Sequence, residues 1–151
     1  MKIFRSWKSW LSVIALAVMT TAFATHHSTP PTEITVWKSP SCGCCGQWVT
    51  YMKAHGFKVT VHDMNDVNPV KRQHGIPENL WSCHTAVVDG YLIEGHVSAP
   101  DIERLLRDRP KVAGLAVPGM VTGSPGMEGG RAQEYDVVAF GDGKTQVFAH
   151  H

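Results

Sequence analysis

The chain has 151 residues, 43% of them hydrophobic, with 14 basic residues against 13 acidic ones and a formal charge of +1. A chain of this size fits one ordinary domain that buries its own core without depending on disulfides. So even a charge balance supplies no basic stripe for nucleic acid.

The N-terminus sets the redox context. Lys2, Arg5 and Lys8 form a positive stretch, Leu11 to Ala22 is apolar, and Ala22-Phe23-Ala24 is an A-x-A cleavage signal; the combination reads as a secretory signal peptide over residues 1–24. The apolar run is well short of the roughly 20 residues that a spanning helix needs, and no later segment is apolar enough to cross a bilayer. The expected product is therefore soluble, without a membrane anchor after cleavage, and periplasmic. Loss of the leader leaves 11 basic residues against 13 acidic, a formal charge of −2.

Residues 25–32 form a polar leader. Cleavage after Ala24 places His27 third in the mature chain, behind Thr25 and His26. The free amine, two backbone nitrogens and the imidazole could then wrap a Cu(II) ion in square-planar geometry.

Ile34 to Trp37 alternates β-branched and aromatic residues and predicts a strand. It runs into Lys38-Ser39-Pro40-Ser41-Cys42-Gly43-Cys44-Cys45-Gly46, which holds three of the four cysteines. Gln47 to His55 has apolar residues at helical spacing and stops at Gly56 before the alternating strand Phe57 to His62. Pro69 and Gly75 bracket a short second helix. Pro77 to Ser82 reads as a connector, and Cys83 opens the next strand. Asp89-Gly90 then joins His84 to Val88 with Tyr91 to His96 in a tight hairpin. Ser98 and Asp101 resemble a capping box for a helix over Ile102 to Arg107. The resulting order, βαβαββα over residues 33–110, is that of the thioredoxin fold, an α/β class. Residues 111–151 supply a Gly/Pro loop carrying Pro-Gly-Met twice, at Met120 and Met127, and a closing hairpin from Tyr135 to Phe148.

Disulfide staples stabilise by closing long loops, and bridges inside a four-residue run constrain almost nothing. The cluster therefore points to soft-metal or redox chemistry. Cys42 and Cys45 form a C-x-x-C pair at a helix start, where the helix N-terminus favours thiolate. Two features argue against a plain oxidoreductase: Cys44 is a competing third thiol, and His84 stands where thioredoxins normally place a cis-proline. Gly43 would let a loop at positive φ turn the sulfurs of Cys42, Cys44 and Cys45 toward one point. In a thioredoxin fold Cys83 and His84 lie across from that loop and could complete the site. Thiolates with Met120 and Met127 select Cu(I) over Zn(II). Four thiolates around one Cu(I) leave a large negative charge, which bridging among several ions relieves; a polynuclear cluster is expected. Trp37, Trp48 and Trp81 read as core or shielding residues, and His55, His62, His74 and His96 as structural or surface histidines. His150 and His151 read as surface positions.

On the cysteine run, Ser82-Cys83-His84-Thr85-Ala86, Ile93-Glu94-Gly95-His96-Val97, Gly114 to Met120 and Gly123 to Glu128, the chain resembles the CopG-type family of periplasmic copper-resistance proteins. Val121 departs from the proline often found there. The resemblance implies a thioredoxin-like fold, a cysteine-bound copper centre on Cys42, Cys44, Cys45 and Cys83, and a part in copper tolerance and Cu(I)/Cu(II) balance. Met120, Met127 and His84 are further candidates. Copper ions are the expected partner, with copper-efflux or copper-oxidising proteins beyond them. The competing readings are a thiol-disulfide oxidoreductase using Cys42 and Cys45 as catalytic pair, and a copper-delivery chaperone. The enzyme question stays open at this level.

Overall fold

The computed structural model describes residues 31–151. The signal-peptide and His26/His27 expectations fall outside these residues.

Seven strands form one sheet in the order β2-β1-β3-β4-β5-β6-β7, numbered along the chain as Glu33–Lys38, Lys58–Asp63, His84–Val88, Tyr91–Glu94, Gly114–Ala116, Asp136–Gly141 and Lys144–His150. Helix α1 (Gly43–Ala54) joins parallel β1 and β2, α2 (Asn68–Gln73) and a 3-10 turn (Glu78–Leu80) lead to β3, and α3 (Ala99–Asp108) joins β4 to its parallel neighbour β5. The first seven elements follow the expected βαβαββα order, and the fold is thioredoxin-like. The closing hairpin continues the same sheet through β5, a strand that the Gly/Pro-rich sequence around it disguised.

Strand alternation sends side chains to two faces. On one, Ile34, Val36, Ala86, Val88, Ile93 and Leu115 pack under Trp48, Val49 and Met52 of α1 and Ile102 and Leu105 of α3. On the other, Leu92, Ala116 and Phe140 pack with Ile76 and Leu80. The same face carries a fully buried ion pair, Lys71 Nζ to Glu94 Oε1 at 2.5 Å.

Helix α1 is pinned by polar contacts as well as packing. Trp48 is fully buried, and its indole donates to the Val97 carbonyl at 2.9 Å; the Ala99 N–H donates to the Tyr51 hydroxyl at 3.1 Å. Both contacts reach the connection between β4 and α3, so the first turn of α1 is fixed beside the ends of β3 and β4. The predicted cap on α3 is present, with Ser98 accepting from the Asp101 N–H and donating to its carboxylate. Among the described residues no helix is long and apolar enough to cross a membrane.

Candidate metal centre

Cys42 is the N-cap of α1, extended at φ −79° and ψ 97°, and its sulfur accepts from the Cys45 N–H at 3.3 Å. The expected loop conformation is corrected here. Gly43 already belongs to the helix and is not among the glycines at positive φ. The turn from extended cap to helix does the work expected of that glycine, because it brings the Cys42 and Cys44 sulfurs within 3.5 Å. Two residues both inside a helix would diverge instead.

Cys42 and Cys45 form a disulfide, while Cys44 and Cys83 are free thiols. The Cys44 and Cys83 sulfurs are 4.0 Å apart. All four sulfurs lie within 4.8 Å of one another, a grouping able to hold a metal ion. Cys45 is buried, and the other three are half-buried.

Cys83 is the junction between sulfur and nitrogen donors. Its Sγ stands 3.4 Å from His84 Nδ1 and 3.0 Å from His96 Nε2, and these three donors also form a compact group. Burial first, then the neighbouring Cys44 sulfur, pushes the Cys83 thiol up to about 12. Without a cation beside it the thiol keeps its proton at neutral pH; a bound ion reverses that balance. Burial holds both His84 and His96 below the usual histidine range, further for His84, where the charges of His96 and Lys71 add to the effect. Both imidazoles are therefore neutral and carry a lone pair.

The tautomer of His96 is set by geometry. Its Nδ1 lies 2.8 Å from the Pro125 carbonyl, which can only accept, so Nδ1 carries the proton and the Nε2 lone pair faces Cys83. A carbonyl orienting an imidazole in this way is the usual outer support of a metal ligand. His84 is enclosed by Trp48 at a ring separation of 4.5 Å and by His96 at 5.0 Å, and its Nε2 is buried with no hydrogen-bond partner among the described residues.

Two parts of the molecule hold this arrangement. Behind Cys83, the Ser82 N–H donates to Glu94 Oε1 at 2.6 Å, and the Ser82 hydroxyl donates to the Gly119 carbonyl. In front, the loop after β5 lies on α1. Gly126 has φ +83°, and a Cβ there would meet the Trp48 nitrogen at 2.7 Å and the Cys44 carbonyl oxygen at 2.9 Å. Only glycine fits so close an approach.

Of the sequence candidates, Cys42, Cys44, Cys45, Cys83 and His84 come together. Met127 follows Gly126 on the packed loop and is half-buried, and Met120 is 62% exposed on the same loop. His55, His62 and His74 are exposed. His96, read from the sequence as a structural or surface residue, is buried and stands 3.0 Å from the Cys83 sulfur. The signal for it lay in the hairpin: pairing of Thr85 with Glu94 continues to place residue 96 opposite residue 83.

The fold and this site define a thioredoxin-like domain with a cysteine-histidine metal nest at the N-terminus of its first helix. Residues 80–127 match a family described as a protein of unknown function, DUF411. Two solved structures, of copper resistance protein CopG in forms 2 and 1, are each 46% identical to the chain, with a TM-score of 0.76, covering 80% of it and 98% of their own length. The chain belongs to the CopG-type copper-resistance family. No curated protein matches it.

Proposed function

We propose that this chain is an exported, periplasmic protein of copper resistance that holds Cu(I) through the thiolates of Cys42, Cys44, Cys45 and Cys83 once the Cys42–Cys45 bridge is reduced. The observation that carries this reading is the convergence of four sulfurs within 4.8 Å of one another. Thiolate is the donor that selects Cu(I). Bridging sulfurs shared among several ions relieve the charge that a single ion would leave buried. His84 and His96 add nitrogen donors, and Met120 and Met127 supply thioethers from the loop. Copper is the cargo, passed on to efflux or copper-oxidising proteins. The thiol couple further allows Cu(I) and Cu(II) to be balanced, since closing one disulfide gives up two protons to solvent and two electrons, which reduce two Cu(II) to two Cu(I).

Anaerobic Cu(I) titration of the reduced protein, followed by native mass spectrometry and parallel thiol counting, tests this reading. More than one copper per chain, with all four thiols protected from alkylation, is the expected outcome. Copper and thiol protection varying independently would end it.

A second reading is favoured by one observation, the disulfide between the helix-capping Cys42 and Cys45. This is the arrangement of a thiol-disulfide oxidoreductase. Cys44→Ser separates the two, because it removes a copper thiolate and leaves the C-x-x-C pair intact.

A further inference from the structure

With the Cys42–Cys45 bridge closed, Cys44 and Cys83 are the two thiols that the chain has left. They are not strangers. Their sulfurs face each other at 4.0 Å, against about 2.05 Å in a disulfide. The remaining approach of about 2 Å is within reach of a change of χ1 rotamer at either residue. Cys44 lies in the first turn of α1 and Cys83 immediately before β3, 39 residues further along the chain. The existing bridge spans a sequence separation of only 3 and constrains the unfolded chain little. A bridge from Cys44 to Cys83 closes a long loop and ties helix to sheet, which is where a disulfide stabilises most. The fold has already brought the two ends together.

We propose that full oxidation of this chain closes a second disulfide, between Cys44 and Cys83, so that its four cysteines act as two successive dithiol pairs. The open form then offers four sulfurs to a soft ion, the singly bridged form two free thiols, and the doubly bridged form none. Soft-metal capacity is thereby withdrawn in two steps. That consequence rests on the copper reading, whereas the bridge itself does not.

The second closure consumes one equivalent of an external disulfide. The Cys44 sulfur attacks one sulfur of that reagent, its S–S bond breaks, and one thiol leaves while the other half stays on Cys44 as a mixed disulfide. The Cys83 sulfur then attacks the Cys44 sulfur and expels the second thiol. His96 Nε2, 3.0 Å from the Cys83 sulfur with its lone pair toward it, takes the Cys83 proton in that attack and passes it to the departing thiolate. Cys44 and Cys83 together lose two protons and two electrons, and the external disulfide leaves as two thiols. The Cys42–Cys45 bridge is unchanged.

The test starts from the chain isolated without reductant and shown to hold one bridge and two alkylatable thiols. One equivalent of dithiodipyridine, added anaerobically, should release two thiopyridones per chain and leave a mass lower by two hydrogens, with no pyridyl adduct. Digestion with trypsin under non-reducing conditions, followed by fragmentation, should place the new link between Cys44 and Cys83. Cys44→Ser leaves Cys83 alone, so it should release a single thiopyridone and keep the adduct. The double variant Cys42→Ser with Cys45→Ser should still close the bridge. A pyridyl adduct that persists on the unaltered chain, a dimer linked between chains, or Cys83 joined to Cys42 or Cys45 would overturn the proposal. These outcomes are read on the unaltered chain, so a variant that fails to fold does not decide the matter. Cu(I) titration of the doubly bridged chain separates this proposal from the copper reading. Loss of Cu(I) uptake supports both, while uptake equal to that of the reduced chain would end the copper reading and leave the bridge standing.

Discussion

The short segment from Ser82 to Thr85 has two sides, and they are finished differently. On one, Lys71 Nζ donates to Glu94 Oε1 at 2.5 Å and to Thr85 Oγ1 at 3.0 Å, the Thr85 hydroxyl donates to Glu94 Oε2 at 2.7 Å, and the Ser82 N–H completes the carboxylate. On the other, the Cys83 sulfur is shared between the Cys44 sulfur and the His84 and His96 imidazoles, and His84 Nε2 has no hydrogen-bond partner among the described residues. Both sets are assembled by the same pair of strands. Buried polar groups are ordinarily satisfied by the protein itself. The first side obeys that rule and is support, while the second groups sulfur and nitrogen donors that could hold an ion.

The largest expected effect tests the support. Breaking a buried ion pair by removing one partner costs about 3–5 kcal/mol, because the other charge stays buried and unpaired. Glu94→Leu should lose stability of that order in urea unfolding. Replacing both members, with Lys71→Met and Glu94→Leu together, should recover most of it. A single variant that costs under about 1 kcal/mol, in the range of an exposed pair, would show that the two sides do not differ as described.

Next in size is the loop that closes the open side. In Gly126→Ala the added methyl meets backbone atoms of Trp48 and Cys44, and the residue must hold φ +83°. Overpacking of this kind costs about 1–3 kcal/mol. The loop should lift from α1 and take the Pro125 carbonyl away from His96, so metal affinity should fall along with stability. Thermal unfolding with and without metal separates the two losses.

The sequence made the core order legible because its signals are local. Asp89-Gly90 sits at the observed hairpin turn with φ 45° and 85°, and the Ser98 cap opens α3. The four cysteines announced the site by their crowding. Less legible were features that depend on how elements meet. Strand β5 has three residues, buried by its neighbours on both sides, and lacks a period of its own. Lys71 and Glu94 each look like surface residues in sequence and become a pair only when α2 folds back over the sheet. His96 required carrying the hairpin register two residues past the end of β4. The φ expected at Gly43 was wrong because a non-helical cap residue already supplies the change of direction.

Acid should act on the buried and the exposed histidines with opposite sign. An unfolded histidine takes up its proton near pH 6.5, whereas buried His84 and His96 resist it in the folded, metal-free chain. The unfolded state then binds more protons, and stability falls as pH drops below about 6.5, by at most about 1.4 kcal/mol per pH unit for each such histidine. His150 is the counterpart. The Asp136 carboxylate 2.8 Å away holds its imidazolium above the usual range. Its contribution is present below about pH 6.5 and is lost as pH rises through the raised value. A stability-pH profile should show His84→Gln flattening the acid loss, while His150→Gln removes a much smaller gain on the acid side.

The smallest effect bears on how the sulfurs converge. Gly43 has helical backbone and nothing within 4 Å of the position its Cβ would take. If the extended Cys42 cap alone aims the sulfurs, Gly43→Ala changes neither the fold nor the site. Alanine should then stabilise by about 0.5–1 kcal/mol, the ordinary difference between the two residues in a helix, less at this first position than in the interior. Metal stoichiometry should remain that of the unaltered chain. A loss of metal with the fold intact would mean that the loaded nest needs a backbone conformation at Gly43 that the helix does not provide, and the finished and open sides would then differ in rigidity as well as in hydrogen bonding.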